Sequence, residues 1–404
     1  MTRIAITGIG SINALGVGVE AFAAGLREGR CGIGTLTRFA PEGYRTSCAA
    51  EAPWPEVPAE IPVRTARRLS HTARLALVAA AEAWRASGLA DGRACGVVLG
   101  TTTGGMAGAE ESYRRESTGD CRRQSLASWL ETPVAVATDA VAALIGSHGP
   151  RVTVSTACSS GANALGIAAD WIRAGQATAV LCGGAESLCR MTYSGFNVLQ
   201  ALDRVPCRPF DRDRAGLSLG EGAALFVLED WAAAERRGAR ILGELLGYGV
   251  SADAHHLTQP RPDGAGAILA MQRALADAGV GADAIDYVNA HGTGTPLNDA
   301  AETRAIKTVL GARAYAVPVS STKSQVGHCL AAAGAIEALA ALLAVRGGFL
   351  PPTATLRAPD PECDLDYVPE HSRPAALRIV LSNSYGFGGN NTSVVLGSAE
   401  GAAP

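Results

Sequence analysis

Short apolar, β-branched runs alternate along this chain with alanine-rich stretches of helical length, and that alternation restricts the fold more than any other feature. Strand-like runs at 4–7, 96–99, 151–154, 179–181 and 223–228 fill the first part, and runs at 285–290, 317–320, 376–381 and 392–396 the second. Helical stretches at 73–87, 162–174, 264–278 and 331–345 lie between them. This interleaving predicts an α/β architecture in which helices cover mostly parallel sheets. Two segments share a plan. The run 152–155 leads through Cys158-Ser159-Ser160-Gly161 into a helix of small and aliphatic residues, and 317–321 leads through Gly327-His328 into another. Helices that are apolar nearly all round are buried. The common plan suggests an internal duplication, with halves at 1–250 and 251–404.

Composition narrows the function classes. A length of 404 residues suits two or three domains, or one duplicated one, at roughly 150 residues each. Hydrophobic residues at 48% and charged residues at 18% describe a globular chain. Glycine is abundant at 48 residues and aromatics scarce at 5%, so small side chains must fill much of the interior. The net charge of −3, without a basic run, argues against nucleic acid or an anionic membrane as partner. The longest apolar stretch, 331–345, is short for a membrane span and contains Glu337, so no membrane segment is expected. The N-terminal residues enter a strand pattern directly, with no signal-peptide core. The ten cysteines (31, 48, 95, 121, 158, 182, 189, 207, 329 and 363) include no C-x-x-C pair. Neither a metal site nor a thioredoxin-like motif is expected, and a reducing cytoplasm is the natural setting.

One cysteine stands apart. Cys158 sits in Thr156-Ala157-Cys158-Ser159-Ser160-Gly161, between a β-branched strand and a small-residue helix. A thiol there feels the helix dipole, which favours the nucleophilic thiolate, and its own N–H is free to bind an oxyanion. The alternative is a packed core cysteine, which is the reading for the others. His291 opens His291-Gly292-Thr293-Gly294-Thr295-Pro296 after a strand, and His328 closes Lys323-Ser324-Gln325-Val326-Gly327-His328 before the buried helix. Glycine-containing loops at element ends commonly carry catalytic groups. His71, His148, His255, His256 and His371 read as structural. The loop Gly386-Phe387-Gly388-Gly389 places one aromatic among glycines, where backbone can approach a ligand. Two further motifs fail on context. Gly216-Leu217-Ser218-Leu219-Gly220 has the G-x-S-x-G form of a hydrolase nucleophile elbow, yet no apolar strand precedes Ser218. Gly8-Ile9-Gly10 begins like a dinucleotide fingerprint, but Asn13 stands where its third glycine belongs.

Taken together, Cys158, His291, Lys323, His328 and the 386–389 loop resemble the β-ketoacyl synthases of the thiolase superfamily, in their elongating form. The resemblance runs from Ile6-Thr7-Gly8-Ile9-Gly10 through Arg208-Pro209-Phe210-Asp211 and Gly220-Glu221-Gly222-Ala223 to the glycine loop. It implies a duplicated, layered αβαβα core with buried central helices. It also implies decarboxylative condensation of a malonyl group, delivered by an acyl carrier protein, with an acyl group held on Cys158. By the same resemblance, the amides of Cys158 and Phe387 form the oxyanion hole, and His291 and His328 hold the malonyl thioester carbonyl. Lys323 and Glu337 order the site around His328, Phe387 gates it, Gly386 and Gly388 help bind the substrate, and Thr293 and Thr295 contact the phosphopantetheine arm. No cofactor is implied, since that arm arrives on the carrier. The partner is the carrier protein, with a homodimer or a chain-length-factor-like subunit as the assembly. Gly294 replaces the usual serine of fatty-acid enzymes, and Asn298-Asp299 and 361–369 look more like type II polyketide ketosynthases. The 386–389 loop, by contrast, is closer to the fatty-acid pattern, which keeps a fatty-acid elongation synthase acting as a homodimer as the alternative. Thr103 stands where fatty-acid enzymes carry a bulky residue that limits the acyl pocket, which points to a pocket differing in length or polarity.

Overall fold

A computed structural model describes residues 2–119 and 129–399. The first half contributes β1 (Ile4–Asn13), α1 (His71–Ser87), β2 (Gly96–Gly100), α2 (Ala135–Leu144), β3 (Arg151–Val154), α3 (Ser160–Arg173), β4 (Ala179–Glu186), α4 (Arg190–Val198) and β5 (Gly222–Asp230). The second contributes β6 (Gly243–Ala252), α5 (Ala265–Ala278), β7 (Tyr287–Asn289), α6 (Pro296–Leu310), β8 (Val319–Ser320), α7 (Ala333–Gly347), β9 (Ile379–Gly386) and β10 (Asn390–Gly397).

The strand order is the same in both halves. It reads β3-β2-β4-β5-β1 in one and β8-β7-β9-β10-β6 in the other, that is, third, second, fourth, fifth, first. Directions repeat as well: β2 lies parallel to β3 and β4, β7 lies parallel to β8 and β9, and the last two pairings of each half are antiparallel. The duplication suggested by two similar segments is thus carried by the whole topology. The half-sheets meet where β1 pairs with β6 through Ala5↔Glu244 and Ile6↔Gly243. Helices α3 and α7 pack against each other and against strands of both halves, while α1 and α2 cover one outer face and α5 and α6 the other. This is the layered α/β core expected from the sequence. The 250/251 boundary falls inside β6, whose ladder runs with β10 from Glu244 to Ala252. We therefore propose halves at 4–230 and 243–397.

Small residues make these layers possible. A Cβ on Gly8 or Gly10 of β1 would stand 2.1 or 2.0 Å from the carbonyls of Ala83 and Ala79 on α1. The equivalent Gly247 and Gly249 of β6 face Ala274 and Ala270 of α5 at 2.4 and 2.3 Å. Gly8-Ile9-Gly10 is therefore a helix-packing surface within a strand, with no turn for a dinucleotide. The glycines of β6 also explain why that strand escaped notice, because they interrupt the β-branched pattern. At the centre, Gly161 of α3 and Gly334 of α7 let the two buried helices touch. With its preceding 3₁₀ turn, the α7 run Leu330–Gly347 is long and apolar enough to cross a membrane. Length therefore does not exclude a span, as the sequence suggested; burial of 89% of the run inside the core does. Of the described cysteines, Cys95, Cys158, Cys182, Cys189, Cys207, Cys329 and Cys363 are buried, and Cys31 and Cys48 reach the surface. Cys121 lies outside the described residues.

Candidate active site

The two halves deliver their reactive residues to one cavity of about 270 Å³. Cys158, His291, Thr293, Thr295, His328, Gly386 and Phe387 all line it. Cys158 comes from the turn between β3 and α3, two residues before the helix begins. Ala157, just before it, has φ +52, an uncommon conformation for a residue with a side chain. The turn is held by its own hydroxyls: Thr156 N donates to Ser160 Oγ at 2.8 Å, and Ser159 Oγ donates to the Thr156 carbonyl at 2.8 Å.

Burial pushes the Cys158 thiol up to about 11, against the opposing effects of Lys323 and of the Phe387 and Cys158 amides. The sequence expectation that the helix dipole favours thiolate is thereby corrected, because desolvation of the charged form outweighs it. The resting residue is a thiol. Those same two amides, one from each half, nevertheless lie near enough to the sulfur to favour its charged form. The rate of Cys158 alkylation by iodoacetamide, followed on its own peptide, is expected to rise about tenfold per pH unit from roughly pH 6 to pH 9. A plateau near neutral pH would mean a preformed thiolate.

Both histidines are neutral. Burial, followed by the charge of Lys323, holds each well below the ordinary imidazole value. Their tautomers follow from their partners. Leu330 N donates to His328 Nδ1 at 3.1 Å, and Lys323 Nζ lies 3.2 Å from His291 Nδ1. Each Nδ1 is an acceptor, so each Nε2 carries the proton. The rings stand edge-to-face with centroids 5.3 Å apart. Lys323 Nζ also donates to the His291 carbonyl at 2.6 Å and pairs with Glu337, whose carboxyl burial raises to about 7. The pair thus orders His291, not His328 as the resemblance implied. From the start of its short helix, the Lys323 side chain reaches the end of β7, where His291 sits.

The sequence reading missed several supports. Glu302 and Asp299, one turn apart on α6, accept the amides of the histidine loop. Glu302 takes those of His291 and Gly292 at 2.8 Å each, and Asp299 those of Thr293 and Gly294. A Pro296 start with acids in the first turns was the available signal for α6. Gly294 has φ +80, a left-handed conformation that favours glycine. Ser218 is buried and accepts the Cys207 amide at 3.0 Å, while its carbonyl takes the His328 amide at 2.7 Å. The apparent nucleophile elbow is a brace for His328. Gly388 does not line the cavity; its amide donates to Leu257 at 2.8 Å. Phe387 stacks on Phe196 of α4, with centroids 5.2 Å apart. Thr103 also lies off the cavity, because its amide and hydroxyl both donate to the buried Glu186. The segment holding Asp253, Thr258, Gln259 and Pro260, which carried no motif, forms part of the cavity wall.

The description "Beta-ketoacyl synthase, N-terminal domain" matches residues 1–234, and "Beta-ketoacyl synthase, C-terminal domain" matches 242–357. The chain belongs to the β-ketoacyl synthase family. As a β-ketoacyl synthase it is an acyltransferase-class enzyme. It is 39% identical to 3-oxoacyl-(acyl-carrier-protein) synthase 2 of Synechocystis sp., covering 97% of each chain. It is also 39% identical to the tetracenomycin polyketide synthase ketoacyl synthase alpha subunit of Streptomyces glaucescens, over 98% of this synthase and 96% of that one. Among solved structures, the ishigamide ketosynthase/chain length factor superposes with a TM-score of 0.91 at 37% identity, covering 98% and 99% of the two chains. A β-ketoacyl synthase from Burkholderia phymatum gives 0.91 at 34%, covering 99% and 100%.

Proposed function

We propose that this synthase joins an acyl group held on Cys158 to the two-carbon unit left when a malonyl thioester loses carbon dioxide. The observation that carries this reading is the cavity itself: a thiol facing two amides, beside two neutral imidazoles whose Nε2–H groups are free to donate. The Cys158 sulfur attacks the carbonyl of an acyl thioester on a carrier protein. The amides of Cys158 and Phe387 take the negative oxygen, and the carrier thiol departs with the proton that Cys158 gives up. A malonyl thioester then enters, its carbonyl oxygen accepting from His291 and His328. The carbon–carbon bond to its carboxylate breaks, carbon dioxide leaves, and the electron pair becomes an enolate held by the same two donors. Its carbon attacks the acyl carbonyl, the Cys158 sulfur leaves with the bonding pair and regains a proton from solvent, and a β-ketoacyl thioester remains on the carrier. Neutral imidazoles suit this role because they donate without a charge that would need solvation.

Thr293 and Thr295, whose hydroxyls lie 2.8 Å apart at the cavity wall, would meet the phosphopantetheine arm, and no other cofactor is called for. The partner in this reading is an acyl carrier protein in a cytoplasmic type II polyketide or fatty-acid pathway. The assembly is a homodimer or a pair with a chain-length-factor subunit. Native mass spectrometry of the chain alone separates these, since a stable homodimer supports the first. The test of the chemistry is intact mass after mixing with acyl carrier proteins of several chain lengths. A gain of one acyl group supports the reading. No gain with any chain length, even with a co-expressed partner, overturns it. His328→Ala is expected to lower malonyl decarboxylation by about 10²–10³-fold, the usual effect of losing one such donor, while acyl transfer to Cys158 persists.

A further inference from the structure

We propose that Asn163 is a positioning residue that sets the spacing between the two amides facing Cys158, an inference that rests on the function proposed above. Those amides belong to different halves, Cys158 at the head of α3 and Phe387 in the loop between β9 and β10. Their separation therefore depends on how the halves are held together here. The surfaces are pressed close, since a Cβ on Gly386 would lie 2.9 Å from the Thr156 carbonyl oxygen and 3.1 Å from the Cys158 nitrogen. Asn163, in the first turns of α3 and 8% exposed, spans the joint with one side chain. Its Nδ2 donates to Thr156 Oγ1 at 2.7 Å and approaches Ser159 Oγ at 3.5 Å, on the nucleophile turn. Its Oδ1 accepts from Thr392 Oγ1 at 2.7 Å and Tyr248 OH at 3.2 Å, on β10 and β6 of the other half.

Each polar group of the amide is thus engaged, two on each side. Thr392 lies five residues beyond Phe387 on β10, the strand leaving that loop. Tyr248 is held in turn by its ring, which packs where Gly166 of α3 leaves room: a Cβ there would stand 2.4 Å from ring atoms. Buried amides with all partners satisfied specify one geometry, and an apolar replacement strips the Thr392 and Tyr248 hydroxyls of their partner and takes one from Thr156 and Ser159, which keep each other. Misplacing reacting groups by about 1 Å is enough to lower rates about 10²-fold.

Acylation needs both amides, whereas decarboxylation of malonyl carrier protein by the unacylated enzyme needs the histidines. Asn163→Leu is expected to slow acyl transfer to Cys158 by about 10²-fold and to leave that decarboxylation within about twofold of the parent. Asn163→Asp, which still accepts from Tyr248 and Thr392 and can accept from the Thr156 hydroxyl, is expected to stay within about tenfold of the parent. Tyr248→Phe and Thr392→Val leave the turn's own bonds in place and test the tie even if Asn163→Leu does not fold. Each is expected to lower acylation by severalfold without affecting decarboxylation. Equal losses in both half-reactions, or unchanged acylation in all four variants, would overturn the inference. A parent enzyme that takes up no acyl group would instead overturn the function on which it rests.

Discussion

Cys158→Ala is expected to abolish the acyl mass gain and to lower condensation by on the order of 10⁴-fold or more, in line with removal of a nucleophile from a preorganised site. The reason is local and chemical. Among the described cysteines, only Cys158 combines a place at a strand-to-helix turn, a position on the cavity wall and two nearby backbone amides that favour its charged form. The other described buried thiols are raised by desolvation as well, Cys95 and Cys207 to about 12, but they lie outside the cavity, and those two donate to the Gly96 and Lys323 carbonyls. The variant keeps both histidines and should still decarboxylate malonyl carrier protein. Intact mass reads the first effect and carbon dioxide release the second. Acyl uptake by the alanine variant at the parent's rate would place the nucleophile elsewhere.

Lys323→Met is expected to affect both stability and chemistry. Lys323 is 1% exposed and meets the Glu337 carboxylate, the His291 carbonyl and His291 Nδ1. Removing one partner of a buried pair leaves the other uncompensated, which costs about 3–5 kcal/mol. It also frees His291 to place its proton on either nitrogen, so the Nε2 donor is no longer guaranteed. Decarboxylation should fall by about 10²-fold or more, comparable to losing the donor outright. Acyl transfer to Cys158 should be affected far less. Thermal unfolding and carbon dioxide release measure the two effects. The double variant Lys323→Met/Glu337→Leu, which removes both charges, should recover much of the stability and none of the decarboxylation. Recovery of both together would mean that the pair only supports the fold.

The sequence by itself determined the chemistry of this protein more fully than its architecture. Cys158, His291 and His328 were legible because each interrupts a regular pattern at the end of an apolar run, where a polar residue in a glycine-bearing loop has no packing role. The alternation of strands and helices indicated an α/β core for the same reason, since burial on both faces leaves long apolar runs. Strand β6 was hidden because glycines required by α5 removed its β-branched pattern. The 250/251 boundary was for that reason set within this strand.

Tertiary structure decided the rest. The thiol's protonation depends on desolvation, which reverses the effect read from the helix end. The tautomers of His291 and His328 depend on Lys323 Nζ and Leu330 N, which meet the rings only in the folded state. Thr103 was matched to a pocket position, yet its amide and hydroxyl go to Glu186, 83 residues away in sequence. Asn163 carries no motif, because its partners Tyr248 and Thr392 lie 85 and 229 residues along the chain. Local pattern records which residues are unusual; solvent exclusion and long-range hydrogen bonds, formed only when the two halves close on each other, assign their charge, proton and partner.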